Sequence, residues 1–129
     1  MKTIIIDGIE YNLIPTSKQE VFNDWRLPTI KELLTLVNYD KCSPASDLED
    51  TKLYFYWSGS THINGSYCAW GVYFNGGNDD NNYKSNSNLV RCVRDGTDGL
   101  EWSTTSQDKM TWNEALEYAK NLVAPVYYK

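Results

Sequence analysis

The chain has one histidine, three cysteines and fewer bases than acids, and each shortage closes off a class of function. A single histidine, His62, rules out a histidine pair for a metal. Three cysteines, Cys42, Cys68 and Cys92, stand at wide and odd spacing. That is neither a zinc pattern nor a disulfide framework, and leaves room for one bridge at most. Twelve Lys and Arg against seventeen Asp and Glu give a net charge of −5. A general nucleic-acid binder needs a basic face to displace counterions, so no nucleic-acid partner is expected. No apolar run approaches the length of a membrane span, and residues 1–8 are too short an apolar stretch for a signal peptide. The expectation is a protein without membrane insertion, made in the cytoplasm, with later association with a virion left open.

What is present fits one domain. A chain of 129 residues can bury a core without metal or disulfide help. Aromatics are plentiful, with five Trp and ten Tyr, residues that serve cores and binding faces alike.

Ile4-Ile5-Ile6 and Tyr11-Asn12-Leu13-Ile14 flank the turn pair Asp7-Gly8, predicting a strand or hairpin. Thr29 followed by Glu32 is a capping box, and Ile30, Leu33, Leu34 and Val37 keep helical spacing to about Asn38. Tyr54 to Trp57, residues 69–74 and residues 89–94 read as strands; in the last, Leu89, Arg91 and Val93 oppose Val90, Cys92 and Arg94. Residues 75–88 hold six Asn, two Asp and two adjacent Gly, and predict a long loop. Leu100 to Trp102 is a short strand after the turn pair Asp98-Gly99. Thr111 and Glu114 form a second capping box, ahead of a helix with Ala115, Leu116, Ala119 and Leu122 on one face. Pro125 stops it, and residues 126–128 suit a final strand. The fold class is α+β: two helices with short antiparallel strands.

Four of these segments carry a resemblance. Trp25-Arg26-Leu27-Pro28-Thr29 with Glu32-Leu33, then Tyr56-Trp57-Ser58, then Ala69-Trp70-Gly71-Val72-Tyr73-Phe74, then Val90-Arg91-Cys92-Val93-Arg94 resemble, in order, the signature segments of the Legionella collagen-like protein C-terminal domain family, a domain of unknown function. The resemblance runs from about residue 24 to 95. It implies a fold similar to the C-type lectins and the formylglycine-generating enzymes. Family members begin with a G-L-x-W strand and a T-W-x-x-A-L helix. Here Gly99-Leu100-Glu101-Trp102 and Thr111-Trp112-Asn113-Glu114-Ala115-Leu116 come last. This implies a circular permutation, with exchange of the last helix between two copies as the rival. The helix cysteine that often faces the family's closing strand is missing, so Cys92 reads as a small buried hydrophobe.

No catalytic set assembles. His62 and Cys68 are the one conceivable nucleophilic couple, and the formylglycine-generating enzymes' paired-cysteine copper site has no counterpart here. No cofactor is expected. The acidic groups Asp47, Glu49, Asp50 and Asp79, Asp80 lack the alternating spacing of calcium loops and read as solvated. Trp25 and Arg26 read as structural, Arg26 tying the helix start to neighbouring carbonyls.

The candidate binding surface is residues 60–88, with Tyr67, Tyr73, Asn75, Asn78, Asp79, Asp80, Asn82, Tyr83 and Asn86 as its contacts. Tyr, Asn and Ser are the residues of adaptable paratopes, although Asn and Gly also serve turns for backbone reasons alone. The resemblance adds that relatives of this fold are diversified by retroelements that mutate adenines, and Asn codons then yield Tyr, Asp or Ser. The function expected is non-enzymatic binding of a protein or glycan ligand, in a chain encoded by a phage or prophage. The alternatives are a small acidic inhibitor of a host protein and a divergent enzyme of the formylglycine-generating type. Self-association stays open.

Overall fold

The computed structural model describes residues 24–96 and 99–123, and the backbone of two strands near the start of the chain. Those strands, β1 (Thr3–Ile6) and β2 (Ile9–Asn12), pair antiparallel with Ile6 opposite Ile9, so the opening segment is a hairpin. The expected final strand at 126–128 lies outside the described residues, as do Leu13, Ile14, Pro125 and the turn residues Asp7, Gly8 and Asp98.

Helix α1 (Ile30–Leu34) starts where Thr29 accepts the Glu32 N–H and Glu32 accepts the Thr29 N–H, the capping box read from the sequence. It ends four residues before the expected Asn38. The Thr35 hydroxyl and N–H both turn back to the Glu32 carbonyl, and the Asn38 N–H is taken by Ala45 across a turn. The apolar spacing continues through Leu36 and Val37, which pack on the core from a turn rather than from a helix.

Strands β3 (Phe55–Thr61), β4 (Cys68–Tyr73) and β5 (Asn78–Tyr83) form one antiparallel sheet in that order. Strands β6 (Arg91–Gly96) and β7 (Gly99–Thr105) form a second antiparallel pair. Leu89 joins the two sheets, donating to Phe55 O at 3.1 Å and accepting from Trp57 at 3.0 Å. Arg26 pairs with Val93 through two 2.9 Å hydrogen bonds. Helix α2 (Trp112–Lys120) opens on the Thr111–Glu114 capping box and buries Ala115 and Ala119.

Strand β3 divides the core. Phe55 and Trp57 point to one side, among Trp25, Leu27, Ala69, Val90, Cys92, Ala115 and Ala119. Tyr56 points to the other, among Leu33, Val72, Phe74, Leu89, Val93 and Trp102. A strand covered on both faces needs no apolar–polar alternation, which accounts for the unbroken aromatic run. The polar tips of Trp57 and Tyr56 both have partners. The Trp57 indole donates to Met110 O at 2.9 Å. The Tyr56 hydroxyl accepts the Lys52 N–H at 2.9 Å and lies 3.0 Å from the Thr105 hydroxyl. Residues 89–94 show the expected alternation, with Val90 and Cys92 on the first side and Leu89 and Val93 on the second, although β6 itself begins only at Arg91.

Arg26 corrects one expectation. Its guanidinium meets carboxylates rather than carbonyls: it forks onto Glu32 at 2.7 and 2.9 Å and reaches Asp95 at 3.4 Å. A planar five-donor group matches a carboxylate two bonds at a time, and Glu32, already placed by its capping role, offers that geometry. The Arg26 hydrogen bond is the main reason the Glu32 carboxyl titrates below its usual range.

Candidate functional site

The stretch 75–88 is not one long loop. Its middle is β5, Asn78–Tyr83, paired along its whole length with β4 from Tyr73↔Asn78 to Cys68↔Tyr83. A tight turn joins the strands: the Gly77 N–H donates to Tyr73 O at 2.8 Å, and Gly77 takes φ +85, a conformation glycine adopts without penalty. The sequence Asn-Asp-Asp-Asn-Asn-Tyr shows no alternation because no residue of this edge strand is buried.

Pairing fixes the faces. Asn78, Asp80 and Asn82 share a face with Tyr73, Gly71 and Ala69; Asp79, Asn81 and Tyr83 share the other with Val72, Trp70 and Cys68. The nine expected contacts therefore do not form one patch. Tyr67 and Tyr83 sit at the open end of the hairpin, flanking a groove of about 640 Å³. Its other walls are Ser66, Lys84, Ser85, Thr111 and Asn113, so the start of α2 completes it. Tyr73, Asn75, Asn78 and Asp80 line a smaller hollow of about 370 Å³ at the turn end, with Cys42, Ser43 and Gly76. The two ends are roughly 17 Å apart along β5. Asn82 and Asn86 are hydrogen-bonded to each other outside both, and Asp79 is exposed in neither.

The groove is held in shape by contacts between its walls and their neighbours. Lys84 N–H donates to Tyr67 O at 2.7 Å, and Trp112 N–H donates to Lys84 O at 3.1 Å. The Trp112 indole donates to Ser58 O at 2.9 Å, which pins the start of α2 to β3. The Lys84 ammonium lies 4.0 Å over the Trp112 ring and donates to the Thr61 hydroxyl at 3.0 Å. Tyr67 and Tyr83 remain 77% and 63% exposed, whereas Tyr73 packs edge-on against Phe55 at 5.7 Å and is half-covered. Sequence reading missed Lys84, Ser66 and Ser85, which lie inside the expected surface, and Thr111 and Asn113, which come from a distant segment. The capping box located Thr111 in the chain but carried no sign of what α2 packs against.

Other candidates resolve as local structure. The His62 imidazole lies 5.1 Å from the Trp70 ring and accepts the Asn64 N–H through Nδ1 at 3.2 Å; His62 meets Cys68 through the backbone, N–H to carbonyl at 2.9 Å. All three cysteines are free. Cys92 is fully buried, and burial pushes its thiol up from the usual 9 to about 12. The acidic residues at 47–50 part ways: Asp47 pairs with Lys41 at 2.7 Å, which with the Asn38 amide lowers its carboxyl, while Asp50 turns inward to Arg91. Among the described residues no three His, Cys, Asp or Glu side chains converge as metal ligands would. Among them, too, no helix is long and apolar enough to cross a membrane.

No curated protein and no solved structure matches the chain. The sequence profile of the Lcl C-terminal domain matches residues 16–94. The match ends at Arg94, so β7 and α2 lie beyond it, although both pack into the core. It spans more than half of the chain and all four signature segments, and on that evidence the chain belongs to the Lcl C-terminal domain family.

Proposed function

We propose that this domain is a non-enzymatic recognition module that binds a protein or glycan partner through the surface of residues 60–88, centred on the groove between Tyr67 and Tyr83. The observation that carries this reading is the exposure of those two rings at a groove whose walls are fixed by hydrogen bonds. Rigid aromatic anchors ringed by Ser, Thr and Asn give contact area at low entropic cost and adaptable hydrogen bonding. The His62 imidazole is engaged by the Asn64 N–H and the Trp70 ring, and no hydrogen bond joins it to the Cys68 thiol among the described residues, which supports a non-enzymatic role. The test is affinity capture with the tagged chain beside its Tyr67→Ala/Tyr83→Ala form, using lysate and intact cells of the encoding organism. A partner retained by the first and lost by the second is the expected result. Equal retention by both moves recognition elsewhere.

A second reading is a small acidic inhibitor of a host protein, encoded by a phage or prophage. The observation favouring it is that Asp79 and Asp80 stand exposed on β5 with no cation paired to them among the described residues. It predicts a single intracellular partner whose capture weakens as salt rises.

The fold reading extends the family membership: a C-type-lectin-like domain, circularly permuted so that the strand and helix found first in relatives come last here. The docking of α2 on β3, through Trp112 and Ser58, shows the place in the core that the last helix fills under either arrangement. A monomer by light scattering would exclude exchange, which needs two copies.

A further inference from the structure

The groove between Tyr67 and Tyr83 has a charge opposite to that of the molecule. The chain carries a net charge of −5, yet the groove is lined by Ser66, Tyr67, Tyr83, Lys84, Ser85, Thr111 and Asn113, with no acid among them. The nearest acid in sequence, Glu114, turns its carboxylate back to the Thr111 N–H at 2.8 Å. Lys84 is thus the one charged residue of the lining. Lys41, Lys120, Arg26, Arg91 and Arg94 each have a carboxylate within 4 Å, but Lys84 has none among the described residues. It is nevertheless not a free surface lysine. Thr61 takes one of its three donors and the Trp112 ring lies beneath it, so much of the entropy of placing an ammonium is already lost before a ligand arrives.

We propose that this groove takes a carboxylate carried on a flat, apolar group: the flat face lies against Tyr67 and Tyr83, and the carboxylate is met by the Lys84 ammonium. Hydroxyls of Ser66, Ser85 and Thr111 and the Asn113 amide are at hand for its second oxygen. A single compact ammonium, with no guanidinium in the lining, suits one negative charge rather than a dianion that needs a fork or several cations. The inference rests on the groove being the recognition surface, and adds the chemistry of what fills it.

The test is a titration of the ¹⁵N-labelled full chain, followed by amide NMR, with 4-hydroxyphenylacetate and in parallel with the neutral 4-hydroxyphenylacetamide. The expected result is shifts confined to residues 66–67, 83–85 and 111–113, with the acid binding about fivefold tighter than the amide. Lys84→Met should erase that preference, so that the acid binds no tighter than the amide, and Lys84→Arg should keep it. If Lys84→Met disturbs the fold, visible as loss of peak dispersion, raising salt on the unaltered chain makes the same test, because screening removes the acid's advantage and not the amide's. Equal affinities of acid and amide overturn the inference but leave the aromatic groove as a binding surface. Silence at these residues with both compounds removes the groove itself, and the proposed surface with it.

Discussion

Arg91 and Asp50 are joined twice: the buried guanidinium donates to the Asp50 carbonyl at 3.0 Å and to its carboxylate at 3.2 Å. The same carboxylate accepts the Thr105 N–H, and the same carbonyl accepts the Thr105 hydroxyl at 2.6 Å. One residue thus ties the segment before β3 to both β6 and β7. A charge with 2% of its side chain exposed is tolerable only when paired. Asp50→Ala should cost about 3 kcal/mol, measured by urea unfolding. A loss below about 0.5 kcal/mol would show that the carbonyl alone suffices.

Gly71 sits beneath the Phe55 ring and beside the Tyr56 carbonyl, so a methyl group at this position is driven into both. One neighbour is backbone of the paired strand and cannot yield. Gly71→Ala should destabilise by about 2 kcal/mol or more, because overpacking here forces β3 and β4 apart. Gly76→Ala, with open space around the added carbon, is the matched control and should move the melting temperature little.

Cys92 gives a pH dependence with a definite sign. Its thiol is raised to about 12 in the folded protein by burial, against about 9 when free. Between those values the folded state holds a proton that the unfolded state has lost. Its contribution is therefore complete below about pH 9 and falls by about 1.4 kcal/mol per pH unit above it. The stability advantage of the native chain over Cys92→Ala should shrink between pH 8 and pH 11. An advantage that stays constant would mean the thiol is not protected. In native alkylation at pH 8, exposed Cys42 should label and Cys92 should not.

The tyrosines of the hairpin should separate by role. Tyr67→Ala and Tyr83→Ala remove exposed rings and should change stability by about 0.5 kcal/mol or less. Tyr73→Ala removes the ring that packs edge-on against Phe55 and should cost about 1 kcal/mol, read from the same unfolding curves. Equal costs at all three would contradict the division of the hairpin into a recognition end and a packing end.

The parts of this fold that were legible in the sequence are those set by near neighbours. Both capping boxes span four residues, and both helices begin where they say. The aromatic β3 and the alternation of residues 89–94 were readable from their side chains, because burial on two faces and on opposed faces leaves distinct patterns. Strand β5 was not, since a strand with no buried residue carries no period and its Asn-Asp-Asp-Asn-Asn run reads as loop. Pairings such as Arg91 with Asp50 join residues 41 positions apart and leave no local trace. The candidate site divides in the same way. Tyr67 and Tyr83 stood out by residue type, whereas Thr111 and Asn113 reach the groove only because α2 packs on β3.

The most direct test of the central claim is the capture experiment with the tagged chain and its Tyr67→Ala/Tyr83→Ala form, after unfolding curves have shown the two to be equally stable. The recognition account predicts a stoichiometric partner, on intact cells or in lysate, held by the native chain and released by the double substitution. A partner held equally by both, or no partner with either, would contradict it.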